Sequence, residues 1–453
     1  MHLLNYLNKI ADFFVRFYIL NQKLNMAERE DPIPEELHYE EKMRAIGKRK
    51  PAMHVEQSPD NGATQVSSTG KIRFPIQGNQ VARFADLKNG YVAVDMVKND
   101  AAVTDATLGE HGTIACVSRA TLSTNTNQII SDIYKKNILD VAMNNTFKSA
   151  NWADSTKAVL YGGSSDFSGE DISDTAKRFI IPLDKLGFDE TFVPLCGIED
   201  LKLELYLESA IGVLVANTDG AVTATGIQYS NMILHYDVFD MTDDEFEDLL
   251  HGSNGKLIVN SKTWFCQDMT VTSTDTSVSM TLGAGKQDAK RVLVVQRGVT
   301  NDAVITNNKF AMGTGKATSI SLMHNGVELK NRPYTLTGGA PENFIENIKA
   351  EGGYIYDGNE RAGNRTKYTA SGDVISVVGT FGTTNACFVA MFDCQNGFQT
   401  DDTESGINIT TGSTLLKIVR TATAMNMNLE VFVEYGQRLE LDMMGDRRFT
   451  VMQ

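Results

Sequence analysis

The chain has 453 residues, of which 42% are apolar and 22% charged, and a formal net charge of −15. That length suffices for two cores of ordinary size, and the apolar content is too high for a disordered chain. The acidic balance argues against a surface that coats itself in nucleic acid. Five scattered cysteines without a CxxC pair argue against a disulfide scaffold and for free, mostly buried thiols.

The first predicted element is a helix over residues 1–24. Leu3, Tyr6, Leu7, Ile10, Phe13, Phe14, Phe17, Leu20 and Leu24 recur at three and four, and Asn5, Lys9, Asp12, Arg16 and Lys23 take the other face. Charges inside the apolar part and the lack of a small-residue cleavage site distinguish it from a signal peptide. No run of 18 apolar residues exists to span a membrane as a helix. The amphipathic stripe needs an apolar partner, which the sequence leaves open: its own body, another subunit or a lipid interface. "MAERED" at Met26 also reads as a start of a soluble chain. Next comes "REDPIPEELHYEEKMRAIGKRKPAMH", broken by prolines, with a basic patch of Lys42, Arg44, Lys48, Arg49 and Lys50. It has no interleaved aromatics for base stacking. It reads as a solvated arm, or as a contact to nucleic acid or phospholipid headgroups inside a particle. Residues 1–54 carry a net charge of +1 and the remainder −16, so this segment differs in kind from the rest.

From Lys71 the period is two. "KIRFPIQG", "YVAVDMV", "TIACVSRATLS", "KLELYLE", "MILHYDVFD", "KLIVNSKTWFC", "VSMTLG", "RVLVVQR", "SISLMHNG", "VISVVGTF", "CFVAMFDC", "STLLKIVR" and "LEVFVEYGQRLELDM" all read as strands, separated by Gly, Asn, Asp, Ser and Thr. No βαβ rhythm appears. Two helices are predicted in the body. One is "NQIISDIYKKNILDVAMNNTF", with a stripe of Ile129, Ile130, Ile133, Ile138 and Val141 or Ala142. The other is "TDDEFEDLLHG", capped by Thr242 with Glu245 three residues on and stopped by Gly252. This second helix divides the strands into two groups of about eight. The expected organisation is an arm at 1–59, a first sandwich at 60–250 and a second at 251–453.

The stretch "RFIIPLDKLGFDETFVPLCGIEDLKLELYLES" places two proline-ended strands before the cleanest alternation in the chain. Pro182 and Pro194 cannot donate to a ladder and belong at an edge or in a loop. Leu201, Leu203, Leu205 and Leu207 are expected on the core face, with Lys202, Glu204, Tyr206 and Glu208 opposite.

Chemical signatures are few. The seven histidines, His2, His38, His54, His111, His235, His251 and His324, include no pair at ligand spacing on one element, and HExxH is absent. Only a zinc site assembled in space is left open. "GSSDFSGED" has no nucleophile elbow, and "GAGKQDAKR" lacks a full phosphate loop and reads as a strand connection. Asp243, Asp244, Asp401 and Asp402 fit turns and caps. With only Trp152 and Trp264 as tryptophans, a sugar platform is poorly supplied. No catalytic, cofactor or metal residues are assigned, and no enzyme activity is expected.

The order of these elements resembles the major capsid proteins of the double jelly-roll viral lineage. That lineage spans polinton-like and adintovirus-type viruses, virophages, large nucleocytoplasmic DNA viruses and membrane-containing phages. "FIIPLDKLGF" followed by "FVPLCGIEDLKLELYL" is similar to the family's paired proline-leucine elements. "YSNMILHYDVFDMTDDEFEDLL" resembles the close of the first roll and the link helix. "AKRVLVVQRG", "LMHNGVELKNRPY" and "FVAMFDCQNGFQTDDTESGINITTGSTLLKI" resemble later landmarks, and "SRATLSTNTNQII" a strand and turn of the first roll. The resemblance covers roughly residues 66–445. It implies an all-β protein of two consecutive eight-stranded antiparallel jelly rolls, with a short linking helix and an N-terminal helical arm. It further implies a structural capsid subunit forming pseudo-hexameric homotrimers in an icosahedral virion assembled inside a host cell. The partners implied are neighbouring capsomers and penton or minor capsid proteins, with internal membrane or genome contact through the arm. A carbohydrate- or receptor-binding attachment protein is the alternative, and a β-sandwich hydrolase a third reading. Residues 209–228, 300–316 and 357–372 are expected as the outer loops.

Overall fold

The computed structural model describes residues 52–350, 388–395 and 406–452 apart from short loop segments, the longest being 99–105, 217–225, 248–254 and 300–309. The helix read at 1–24, the basic patch at 42–50 and the strand read at "VISVVGTF" (374–381) lie outside the described residues. So does the link helix except Phe246 and Glu247, which are helical, with the Phe246 N–H bonded to the Thr242 carbonyl at 3.0 Å. No helix among the described residues is long and apolar enough to cross a membrane.

The first sandwich contains β1 (Met53–Gln57), β2 (Gln65–Ser67), β3 (Lys71–Ile76), β4 (Arg83–Lys98), β5 (Ala106–Gly109), β6 (Val117–Thr124) and β7 (Ile129–Tyr134). It continues with β8 (Ser168–Asp171), β9 (Lys177–Pro182), β10 (Val193–Pro194), β11 (Leu201–Leu207), β12 (Leu214–Ala216) and β13 (Ile227–Asp240). One sheet has the order β1-β13-β4-β10, with β2 beside β13 and β9 beside β4, and the facing sheet has the order β3-β11-β6-β7. Counting β1 with β2, and β9 with β10, as single positions gives eight: positions one, eight, three and six in one sheet, two, seven, four and five in the other. This is the jelly-roll order. The strand β1 falls inside the segment read as arm, so the sandwich begins before residue 60.

The second sandwich repeats that order. It comprises β14 (Lys256–Val271), β15 (Ser277–Leu282), β16 (Ala289–Gly298), β17 (Ala317–His324), β18 (Val327–Glu328) and β19 (Tyr334–Thr335). Then follow β20 (Val389–Asp393), β21 (Thr414–Arg420), β22 (Met427–Asp442) and β23 (Phe449–Met452). Its sheets run β14-β22-β16-β20 and β15-β21-β17-β18, with β19 also on β17 and β23 added beside β22. All of these pairings are antiparallel, so the fold class expected from the sequence is the fold observed.

The two prolines now have a common explanation. Tyr91–Met96 of β4 pair with β9, and Phe84–Ala85 of the same strand pair with β10. β9 and β10 are therefore two pieces of one edge position. Pro182 and Pro194 end those pieces where no further strand needs an N–H. Between them the chain leaves the sheet and buries Leu183, Leu186 and Phe188. The alternation in β11 also holds. Leu201, Leu203, Leu205 and Leu207 are buried and Lys202, Glu204 and Tyr206 are half-buried. Leu203 sits between Phe74 and Leu122, and Leu205 between Ile72 and Ala120.

The helix expected over 127–147 is half right. Ile129–Tyr134 is the strand β7, paired with β6, and only α1 (Lys136–Phe147) is helical. Two β-branched isoleucines and an Asn at φ 65° favour a hairpin over a first helical turn. Lys135, at φ 55°, turns the chain from strand to helix. Two shorter helical segments, α2 (Thr156–Tyr161) and α3 (Ala210–Val213), were not expected.

Nor was α4 (Pro341–Ala350), which has a clear structural task. β20 is the last strand of its sheet and would offer bare backbone groups. Instead the fully buried Asn343 and Asn347 donate to the Val389 carbonyl at 3.0 and 2.9 Å, and Asn347 Oδ1 accepts from the Met391 N–H at 2.7 Å. Two asparagines four apart on a helix thus stand in for a further strand beside β20. Asn347→Leu strips partners from buried backbone groups and is expected to cost about 1–3 kcal/mol. The readout is a lower urea midpoint with unchanged slope. An unmoved midpoint would mean that water replaces the side chain.

Candidate functional site: the junction between the two sandwiches

In the sheet β14-β22-β16-β20, the strands β16 and β20 and the middle of β22 are buried on both faces, and their sequence shows why. In β16, Val292 and Val294 belong to the second sandwich's own core, while Leu293 and Val295 belong to the apolar cluster of the first. In β22, Val431 and Val433 point inward, while Phe432, Leu439 and Leu441 join the first cluster. In β20, Ala390 and Phe392 divide from Val389 and Met391 in the same way. A strand with two apolar neighbours loses its alternation and reads as a continuous run, as "RVLVVQR" and "EVFVEY" do. By contrast, β15 lies on the opposite sheet and alternates strictly.

The first sandwich meets this face with its edge strand β7 and the loop between β9 and β10. Ser131 and Thr263 share a hydrogen bond of 2.7 Å between their hydroxyls, and Gln437 Nε2 donates to the Ile130 carbonyl at 2.7 Å. Gly187, at φ 100°, approaches the Lys262 carbonyl and the Gln437 side chain. His111 sets its ring edge-on to Phe310, with centroids 5.5 Å apart.

Two carboxylates lie on the same face of β22, either side of Phe432. Glu430 is fully buried and accepts from Arg297 Nε at 2.8 Å and Nη2 at 2.7 Å. It also accepts from Lys135 Nζ of the first sandwich at 3.0 Å, and Lys135 reaches Asp268 at 2.8 Å. Burial alone would raise the Glu430 pKa, but Arg297 and Lys135 outweigh it and hold the group below the ordinary glutamate value. Lys135 answers in kind: burial would lower its pKa, yet Glu430 and Asp268 carry it above the usual lysine value. Glu434 is paired by Arg291, with Nη2 to Oε1 at 2.7 Å, and that guanidinium lies 5.9 Å from the centre of the Trp264 ring. The junction is therefore apolar, with one charged crossing, from Lys135 of the first sandwich to Glu430 and Asp268 of the second.

Three connections of the first sandwich meet at one end. β5 lies between strand positions three and four, β8 between five and six, β12 between seven and eight, and the three form a small sheet, β12-β5-β8. Of the expected outer loops, 209–228 contributes α3 and β12 here, while 357–372 and most of 300–316 lie outside the described residues.

The structure brings together two of the histidines that sequence spacing kept apart. On the outer face of the first sandwich, His54 Nε2 is 3.0 Å from His235 Nδ1, and His54 Nδ1 is 2.8 Å from Asp237 Oδ1. Glu56 Oε1 lies 3.9 Å from His235 Nδ1, and Tyr91 stacks on the His235 ring at 4.8 Å. The donor atoms of His54, Glu56 and His235 all fall within 4.8 Å of one another. Burial lowers the His235 pKa, with Glu56 opposing and His54 reinforcing the shift. Sequence reading missed this group because its partners are 181 residues apart and meet across strands. Elsewhere, His324 bonds Thr414 and His111 is buried, while His2, His38 and His251 lie outside the described residues.

The thiols of Cys116, Cys196 and Cys266 are each pushed up to about 12 by burial, which makes them poor nucleophiles. Cys394 is also a buried thiol outside any disulfide, and Cys387 lies outside the described residues. "GAGKQD" connects β15 to β16, as expected. Asp243, Asp244, Asp401 and Asp402 lie outside the described residues.

No protein-family model and no curated protein matches the chain. Solved structures do match it in fold. A quasi-atomic model of the PBCV-1 virus capsid aligns with a TM-score of 0.59 at 12% identity, covering 88% of this chain and 96% of that one. The Faustovirus major capsid protein gives 0.54 at 9% identity, over 86% and 90% of the two chains. The Sputnik virophage structure at 3.5 Å gives 0.53 at 8%, over 89% and 88%. The chain thus has the double jelly-roll fold of these proteins.

Proposed function

We propose that this chain is a major capsid protein, a structural shell subunit of an icosahedral virion and not an enzyme. The observation that carries the reading is the paired architecture. Two sandwiches of identical strand order, joined through strands buried on both faces, make one block with two similar lobes. Three such blocks around a closed threefold axis present six lobes, a near-hexagonal tile suited to a curved lattice. The fold shared with capsid proteins of PBCV-1, Faustovirus and Sputnik supports the same reading.

In this reading the division is an arm that ends before β1 instead of at residue 59, a first roll from Met53 to 250 and a second roll at 251–453. The homotrimer contacts neighbouring capsomers and penton or minor capsid proteins. The arm, with its amphipathic helix and basic patch, faces the interior and touches a membrane, the genome or an adjoining subunit. The protein resides in the virion, assembled inside the host cell.

Light scattering coupled to size exclusion is expected to give a mass three times that of the chain, and particle images a hexagonal outline. A monodisperse monomer that binds glycans would overturn the reading in favour of an attachment protein. Deleting residues 1–25 is expected to leave trimers intact and weaken shell assembly or membrane association. Unfolding of the trimer on deletion would instead make the segment part of the core. Particles unchanged in number, size and heat resistance would make it dispensable.

A further inference from the structure

The pairing of β1 with β13 sets His54 opposite Asp237, Val55 opposite Tyr236 and Glu56 opposite His235. Residues two apart on a strand share a face. Tyr236 is in the core and Val55 packs against it, so His54, Glu56, His235 and Asp237 form a four-cornered group on the outer face. Tyr91, opposite His235 on β4, closes one side.

We propose that His54 Nε2, His235 Nδ1 and the Glu56 carboxylate form a zinc-type divalent metal site, completed by water, that clamps β1 onto β13. Two imidazoles with one carboxylate are a donor set suited to zinc and to neighbouring transition metals, and a poor one for magnesium or calcium. The Asp237 carboxylate, which accepts, favours one tautomer of His54. An Nδ1–H of His54 donated to Asp237 leaves the Nε2 lone pair free to face the other donors, the carboxylate–histidine arrangement of known zinc sites. Spacing agrees as well. With metal–nitrogen bonds of about 2.0–2.1 Å, two ligands on a tetrahedral ion lie about 3.3 Å apart. The observed separations are 3.0 Å between the histidines and 3.9 Å from His235 to Glu56, each a small rotation from that value. Stacking on Tyr91 fixes the His235 ring. His54 and Glu56 are exposed, which leaves a route for the ion and room for water.

The consequence is local. β1 ends the sheet and is the first described strand after residues 1–51, so its grip decides how firmly that segment is held to the body. Edge strands fray first. An ion held by residues 54, 56 and 235 ties both strands at mid-register.

The test uses the purified full-length chain, stripped with chelator and titrated with Zn²⁺ by calorimetry, with hydrogen exchange read at residues 53–57. One zinc per chain is expected, with exchange at 53–57 slowed by about tenfold or more, a selective loss of local opening. His54→Ala removes an exposed ligand and is expected to weaken binding on the order of 100-fold or more, beyond the 10–100-fold typical of an outer partner such as Asp237→Asn. Melting in chelator verifies that both variants fold as the parent does. His235→Ala serves as the second ligand test, and Mg²⁺ is expected to give no heat. Zinc binding retained by His54→Ala, absent from the parent chain, or without slowed exchange at 53–57 would each overturn the assignment.

Discussion

Glu430→Ala is expected to destabilise the body by about 3–5 kcal/mol, the usual cost of breaking a buried ion pair by removing one partner. The cause is not the lost attraction alone. Arg297 is nearly fully buried beside Glu430, and Lys135 crosses from the other sandwich to the same carboxylate. The variant leaves both cations facing a cavity. Pairing Glu430→Leu with Arg297→Met is expected to recover most of the loss, since an apolar replacement removes the desolvation cost of both charges. Acid acts on the same point. Because the folded Glu430 pKa lies below its ordinary value of 4.5, its contribution is fully present above that value and lost as pH falls through the folded pKa. The gap between parent and Glu430→Ala in urea midpoint should therefore be constant from pH 7 to about 5 and shrink below about 4. A gap independent of pH would mean that cavity formation, not charge, sets the cost.

Leu205→Ala is expected to cost about 2–5 kcal/mol and Glu204→Ala well under about 1 kcal/mol, although the residues are adjacent. Leu205 is fully buried between Ile72 and Ala120, at the centre of the sheet β3-β11-β6-β7. Glu204 points the other way and pairs with the exposed Lys71 at 2.6 Å. Soluble yield and thermal midpoint should fall only for the leucine. Equal effects would mean that this strand's two faces are not distinguished by burial.

What sequence could reveal followed what each strand touches. β11 and β15 lie on sheets with one solvated face, so their alternation announced both strand and facing. The runs in β16 and β22 showed strands but not the reason for their continuity, namely a second apolar partner in the same chain. Ile129–Tyr134 was misread because its isoleucine spacing suits a helix as well as a half-buried strand, and the left-handed Lys135 has no sequence signature. α4 was missed because its two inward asparagines look like surface residues until an edge strand supplies their partners. The histidine group depends on the register of β1 against β13, which no local pattern specifies.

The strand order also governs how the protein comes off the ribosome. β22 lies between β14 and β16 and supplies the centre of their sheet, pairing Lys256 with Asp442. At about 5–20 residues per second, roughly 190 residues of synthesis between those partners take about 10–40 s. The first sandwich can close as soon as β13 emerges, well before this interval ends. β14 meanwhile waits unpaired, and β16 has one open edge even after β20 emerges, the form of nascent chain most prone to associate with its copies or with chaperones. A cell producing this protein in bulk therefore carries a standing population of half-built second sandwiches, proportional to the rate of synthesis and drained only by the arrival of one 16-residue strand near the end of the chain.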